Sequence, residues 1–186
     1  MVNRILLVDD ESAVLSSLRR SLHHEPFVII TSSGADEALD IMKEQEFKLI
    51  ISDERMVGMQ GAELLAQVRQ RYPQTLRILL TGYASTKVAM KAVNDGEIYR
   101  FFLKPWDDNQ LRLAVRSAVE KYDLEAENRR LLAMVREQAL EIKVLEKRYP
   151  GISRVEKDSY GAFILADVAE EEIKEMLLES EKDFPG

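Results

Sequence analysis

The sequence predicts an α/β fold: a five-stranded parallel sheet flanked by helices, then a long C-terminal helix and a small α+β tail. Three observations carry this. Short apolar runs recur at 4–8, 27–31, 48–52, 77–81 and 99–103. Each is too short for a helix and apolar enough to be buried on both faces. Amphipathic stretches of ten or more residues separate them, and the chain beyond 108 lacks Gly and Pro until Pro150-Gly151.

Taken in order, the first run, Ile5-Leu6-Leu7-Val8, leads into 12–22, where Val14, Leu15, Leu18 and Leu22 fall at helical spacing. Leu64, Leu65 and Val68 do the same in 61–71, and Val88, Ala89, Ala92 and Val93 in 85–95. Strands alternating with helices imply right-handed crossovers and a parallel sheet covered on both faces. The expected organisation is one domain over 1–120, a helix over 121–149 continuing that domain's last helix, and a small acidic segment over 150–186. In that segment Ala162–Leu165 reads as a short strand and 169–180 as a helix. Thirty-six residues without cysteine are not expected to fold alone, so this piece packs on something else or belongs to a larger module.

Composition narrows the class. There is no cysteine, which excludes disulfides and thiolate metal sites. The start, Val2-Asn3-Arg4-Ile5, shows no signal-peptide hydrophobic region, and no apolar run approaches the roughly 20 residues of a membrane helix. A cytoplasmic location is expected. Of the net charge of −7, residues 151–186 hold nearly all, with ten acids against four bases, and 119–148 balances seven acids with seven bases. This distribution argues against nucleic-acid binding by these segments.

The chemistry lies at the strand ends. Asp9 and Asp10 follow the first run, Asp53 follows Leu49-Ile50-Ile51-Ser52, Thr81 follows Ile78-Leu79-Leu80, and Lys104 follows Phe101-Phe102-Leu103. Ligands of parallel α/β sheets collect outside the carboxyl ends of the strands. One cleft would therefore gather three carboxylates, a hydroxyl and an ammonium. Taken singly, each signal has a plain reading: an Asp after a strand caps a helix, Thr-Gly turns, Lys-Pro loops. Together, and in this order, they describe a site that moves a phosphoryl group onto a carboxylate. Three acids on strands about 5 Å apart raise one another's pKa or demand a cation, and an oxygen-only donor set suits Mg²⁺ (or Mn²⁺). Lys104 and Thr81 offer an ammonium and a hydroxyl to phosphoryl oxygens, and Asp53 is the nucleophile. Lys104-Pro105 is a candidate cis peptide.

Residues 1–120 resemble the receiver domain of two-component response regulators (CheY-like). The resemblance rests on Leu7-Val8-Asp9-Asp10-Glu11, Ile51-Ser52-Asp53 with Met56 and Gly58-Met59, Leu80-Thr81-Gly82, and Phe102-Leu103-Lys104-Pro105-Trp106. It implies a flavodoxin-like sheet in the order 2-1-3-4-5 and Asp53 as the phosphoacceptor. Mg²⁺ would be held by Asp10, Asp53 and the backbone carbonyl of Arg55, with Asp9 assisting through water. Thr81 and Lys104 would be the switch residues, and Phe101 would take the place of the aromatic rotamer switch. The implied partner is a sensor histidine kinase or phosphotransfer protein, with slow self-dephosphorylation. Arg55 and Tyr83 border the phosphoryl site and are expected to tune how fast water reaches it. Val57 departs from the pattern, standing where the family usually has Pro. The segment Gly96–Trp106 resembles a subgroup often joined to HD-GYP phosphodiesterase domains or transcriptional activator modules. Neither output is recognisable after residue 120: there is no His-Asp dyad and no helix-turn-helix.

In the last helix Leu124, Asn128, Leu131, Val135, Gln138, Ile142 and Leu145 recur at spacings of four and three, a coiled-coil seam of about three heptads. It predicts a homodimer through 121–149. Asn128 in the seam favours a parallel pair, whereas Glu141 near Glu146 of the other chain disfavours it, so the direction stays open. A second function class, a Mg²⁺-dependent phosphatase of the haloacid dehalogenase type, shares the aspartyl nucleophile. It places that residue after the first strand with a carboxylate two residues on, where this chain has Arg55. A third reading is a receiver serving only as a dimerisation platform. The pair His23-His24 reads as helix C-terminal residues, and Trp106 as an anchor for the last helix.

Overall fold

A computed structural model describes residues 3–82, 90, 98–149, 156–157 and 163–164. The first unit, Met1–Arg130, holds five parallel strands: β1 (Arg4–Val8), β2 (Val28–Ser32), β3 (Leu49–Asp53), β4 (Leu76–Thr81) and β5 (Arg100–Leu103). Their order is β2-β1-β3-β4-β5, as the family resemblance implies. Among the described residues the helices α1 (Ser12–Ser21), α2 (Ala35–Glu44) and α3 (Gly61–Arg71) lie between the strands, and α4 (Asp108–Arg148) follows β5. The expected helix 85–95 falls outside the described residues, apart from Met90.

Strand alternation builds two cores. Leu6, Val8, Ile50 and Leu79 point to the face covered by α2 and α3, where Ala38, Leu39, Leu64, Leu65 and Val68 meet them. Ile5, Leu7, Leu49, Ile51, Ile78 and Leu80 point to the other face, covered by Leu18 of α1, Leu22 just beyond it, and Leu111, Val115 and Ala118 of α4. β3 and β4 are buried along their whole length. Each fully buried aliphatic side chain contributes about 1.5–3 kcal/mol, so the strand ends rest on a stiff platform.

α4 starts where Asp107 Oδ1 accepts the Gln110 N–H at 2.8 Å, an N-terminal cap. Its inner face stays on the sheet through Tyr122, with Ala126 half-buried against the same core. Buried Lys48, just before β3, pairs with Asp123 and donates to Asn3 Oδ1 at 2.7 Å. Arg129 donates to Gln74 Oε1 at 3.0 Å. Trp106 packs on this core and its Nε1 donates to Asp108 Oδ1 at 3.2 Å, the anchoring role the sequence suggests. His23 and His24 stand in the turn beyond α1, one step past the expected helical position.

The second unit, Leu131–Gly186, contains the last turns of α4 and an antiparallel pair of two-residue strands, β6 (Glu156–Lys157) and β7 (Phe163–Ile164). β7 is the expected strand, shorter than predicted. β6 is not predicted, and the expected helix 169–180 lies outside the described residues. From Glu127 to Tyr149 every residue of the long helical stretch is exposed, the seam residues Leu131, Val135, Ile142 and Leu145 included. No helix among the described residues is long and apolar enough to cross a membrane.

Candidate functional site

The order reversal of the sheet places β1 and β3 side by side, with Val8 paired to Ser52. Asp9 and Asp53 therefore follow one another's strand at the same level. One carboxylate oxygen from each of Asp9, Asp10 and Asp53 lies within 4.8 Å of the others. Asp9 and Asp53 are buried, and Asp10 is exposed. Parallel pairing of β3, β4 and β5 brings the remaining groups alongside: Asp53 pairs with Leu80, and Thr81 with Leu103. The Lys104 N–H extends the ladder to the Thr81 carbonyl at 2.8 Å.

Lys104 Nζ reaches Asp53 Oδ1 at 2.6 Å and Asp9 Oδ2 at 2.9 Å. Burial pushes the Asp9 carboxyl above its ordinary value, against the pull of Lys104 and of the Glu11 N–H on Oδ1. Burial acts to lower the Lys104 ammonium, but its bonds to Asp53 and Asp9 outweigh that and hold it above its usual range. The second Asp53 oxygen, Oδ2, accepts the Arg55 N–H at 3.0 Å. Asp10 Oδ2 accepts the Val57 N–H at 3.0 Å.

Thr81 is fully buried, and its hydroxyl donates to the Gly82 carbonyl at 3.2 Å, so in this form it is not engaged with Asp53. Phe101, opposite Leu79, is half-buried against the core under α2 and α3. The Lys104–Pro105 peptide bond is cis. Met56 is buried and Met59 partly so, both in the core under α2 and α3. Tyr83 lies outside the described residues.

Two neighbours of Asp53 have no signature in the strand-end pattern. Glu54, directly after Asp53, is buried, and its Oε2 has no hydrogen-bond partner among the described residues. Burial raises its carboxyl above the usual range, and the Ala62 N–H only partly offsets this. Gly61, the first residue of α3, donates its N–H to the Glu54 carbonyl at 3.0 Å. A Cβ there would meet the Asp53 carbonyl oxygen at 1.9 Å.

The donor set fits a hard divalent cation: carboxylate oxygens from three residues, one of them exposed, with no imidazole or thiolate among them.

A doubly wound parallel sheet with acids, a hydroxyl and an ammonium at the carboxyl ends of its strands defines a phosphoryl-handling class of α/β protein. More specifically, the chain belongs to the response regulator receiver domain family, which matches residues 5–116. It is 40% identical over 127 residues to the hydrogenase transcriptional regulatory protein HoxA of Cupriavidus necator, covering 68% of this chain and 26% of HoxA. It is 34% identical over 152 residues to the alginate biosynthesis transcriptional regulatory protein AlgB of Pseudomonas aeruginosa, covering 82% of this chain and 33% of AlgB. Among solved structures, the signal receiver domain of an HD domain-containing protein from Pseudomonas fluorescens Pf-5 is 42% identical. It superimposes with a TM-score of 0.64 over 68% of this chain and 93% of that one. The chain thus spans about a quarter to a third of the length of the curated relatives it matches.

Proposed function

We propose that Asp53 accepts a phosphoryl group from a sensor histidine kinase or a phosphotransfer protein in the cytoplasm. The observation that carries this is the buried Asp53 carboxylate, 2.6 Å from Lys104 Nζ with Asp9 and Asp10 oxygens within 4.8 Å. An Asp53 oxygen attacks phosphorus, the bond from phosphorus to the donor imidazole nitrogen breaks, and the imidazole leaves with the electron pair. The product is an acyl phosphate. Asp10 and Asp53, with the Arg55 backbone carbonyl, would hold Mg²⁺ (or Mn²⁺), and Asp9 would assist through water. The ion supplies charge neutralisation for the phosphoryl oxygens. Lys104, already at the carboxylate, follows the charge onto a phosphoryl oxygen. The Thr81 hydroxyl leaves the Gly82 carbonyl for another, and Phe101 turns into the space behind it. Arg55 and Tyr83 would set how fast water hydrolyses the product.

The output we infer is association. β5 leads into α4, and the exposed seam Leu124, Asn128, Leu131, Val135, Gln138, Ile142 and Leu145 offers a face to a second copy. Over 1–120 the chain acts as receiver, over 121–149 as dimer helix, and 150–186 belongs with the output. HoxA and AlgB are transcriptional regulators. On that likeness the whole regulator would act on transcription with nucleic acid as an output partner, although 119–186 carries no basic block. Beryllofluoride with Mg²⁺ should shift the amide NMR spectrum of the wild type around Thr81 and Phe101 and leave Asp53→Asn unchanged. An identical response from both would refute the switch.

A further inference from the structure

Asp10 is the exposed member of the acidic cluster, and among the described residues its hydrogen-bond partner is a main-chain amide, the Val57 N–H, 3.0 Å from Oδ2. Val57 sits four residues beyond Asp53 in the loop between β3 and α3. Its side chain is 88% exposed, so packing of the isopropyl group does not explain its position. The amide is aimed from both sides. Met56 before it is buried in the core under α2 and α3, and Gly58 after it turns the chain at φ +85°.

An exposed aspartate samples several rotamers, and ordering it opposes cation capture. A carboxylate has two oxygens and about four lone-pair sites. A charge-assisted bond from a backbone N–H can fix Oδ2 and leave Oδ1 available to a cation. Proline, which lacks the N–H, could not make this bond. This chain therefore has at position 57 a bond to Asp10 that members with the usual Pro there lack, and the amide, not the side chain, supplies it.

We propose that Val57 is a positioning residue for the divalent-cation site: its main-chain N–H fastens Asp10 to the loop after β3, with the other carboxylate oxygen left for the ion. This rests on the reading of Asp10 as a ligand of Mg²⁺. Because the Val57 N–H and a bound cation would share the Asp10 carboxylate, the Val57 amide would report occupancy of the site.

The test is calorimetric titration of the full chain with Mg²⁺ alone. Val57→Pro, and a chain carrying an ester in place of the amide at position 57, should both bind about tenfold more weakly than wild type. Val57→Ala, the conservative variant that keeps the N–H, should stay within about twofold. In wild type the Val57 amide resonance should move upon Mg²⁺ addition. Wild-type affinity in the ester chain overturns the proposal, and so does a loss in Val57→Ala equal to that in Val57→Pro. If Val57→Pro does not fold, the ester chain decides. A wild type that binds no Mg²⁺ removes the metal reading itself, a result distinct from normal binding in all variants.

Discussion

The α carbon of Gly61 faces the carbonyl oxygen of Asp53 so closely that a methyl group on it would stand 1.9 Å from that oxygen. The obstacle is backbone, not the end of a flexible side chain, so either the start of α3 or the end of β3 must move. Gly61→Ala should lower stability in urea by about 3 kcal/mol and slow labelling of Asp53 by acetyl phosphate. A change within about 0.5 kcal/mol, as for an ordinary surface position, would show that the approach tolerates a side chain.

Glu54 should make stability depend on pH in a definite direction. Burial raises its carboxyl above the ordinary 4.5, so the folded state binds that proton more tightly than the unfolded chain does. Stability linked to Glu54 is therefore greatest at low pH and is lost as pH rises through the raised folded value. Glu54→Gln should raise the urea midpoint at neutral pH, and the gain should disappear below about pH 4.5. A gain that persists unchanged at pH 4 would place its origin elsewhere.

Lys104→Met would leave Asp9 and Asp53 side by side without their ammonium. Asp9 is fully buried, and removing one partner of a buried pair typically costs about 3 kcal/mol or more. The loss should show as a lower urea midpoint at pH 7, and millimolar Mg²⁺ should recover part of it by binding the folded state. Equal midpoints for wild type and variant would mean the ion pair is dispensable.

The dimer reading is tested on the seam. Leu131 and Ile142 are both exposed and eleven positions apart on one helix face. Leu131→Asp combined with Ile142→Asp should convert a dimer to a monomer by light scattering, with the receiver still folded by circular dichroism. A wild type that is monomeric with and without beryllofluoride would remove the seam from the account.

The strand-end cluster was legible because each of its residues ends an apolar run, and a parallel sheet lines such ends up. Asp9, Asp53, Thr81 and Lys104 needed only strand order to meet. The Lys104-Pro105 dipeptide marked only a candidate for the cis bond that the structure has. Gly61 and Glu54 were not, because their roles arise where the start of α3 lands on the end of β3, a contact with no local pattern. Buried Lys48 and Glu25 were hidden for the same reason: each is satisfied by α4, at Asp123 and Arg116, far along the chain. β6 was missed because two residues of a strand pair carry no periodicity.

The proposed phosphotransfer stands on Asp53 as the acceptor. Intact-mass and peptide mass spectrometry after acetyl phosphate and Mg²⁺ treatment addresses it directly. One phosphoryl group per chain, on the peptide holding Asp53 and absent from Asp53→Asn, is the predicted result. Equal incorporation into Asp53→Asn, or none into wild type from acetyl phosphate and from histidine kinases alike, would contradict it.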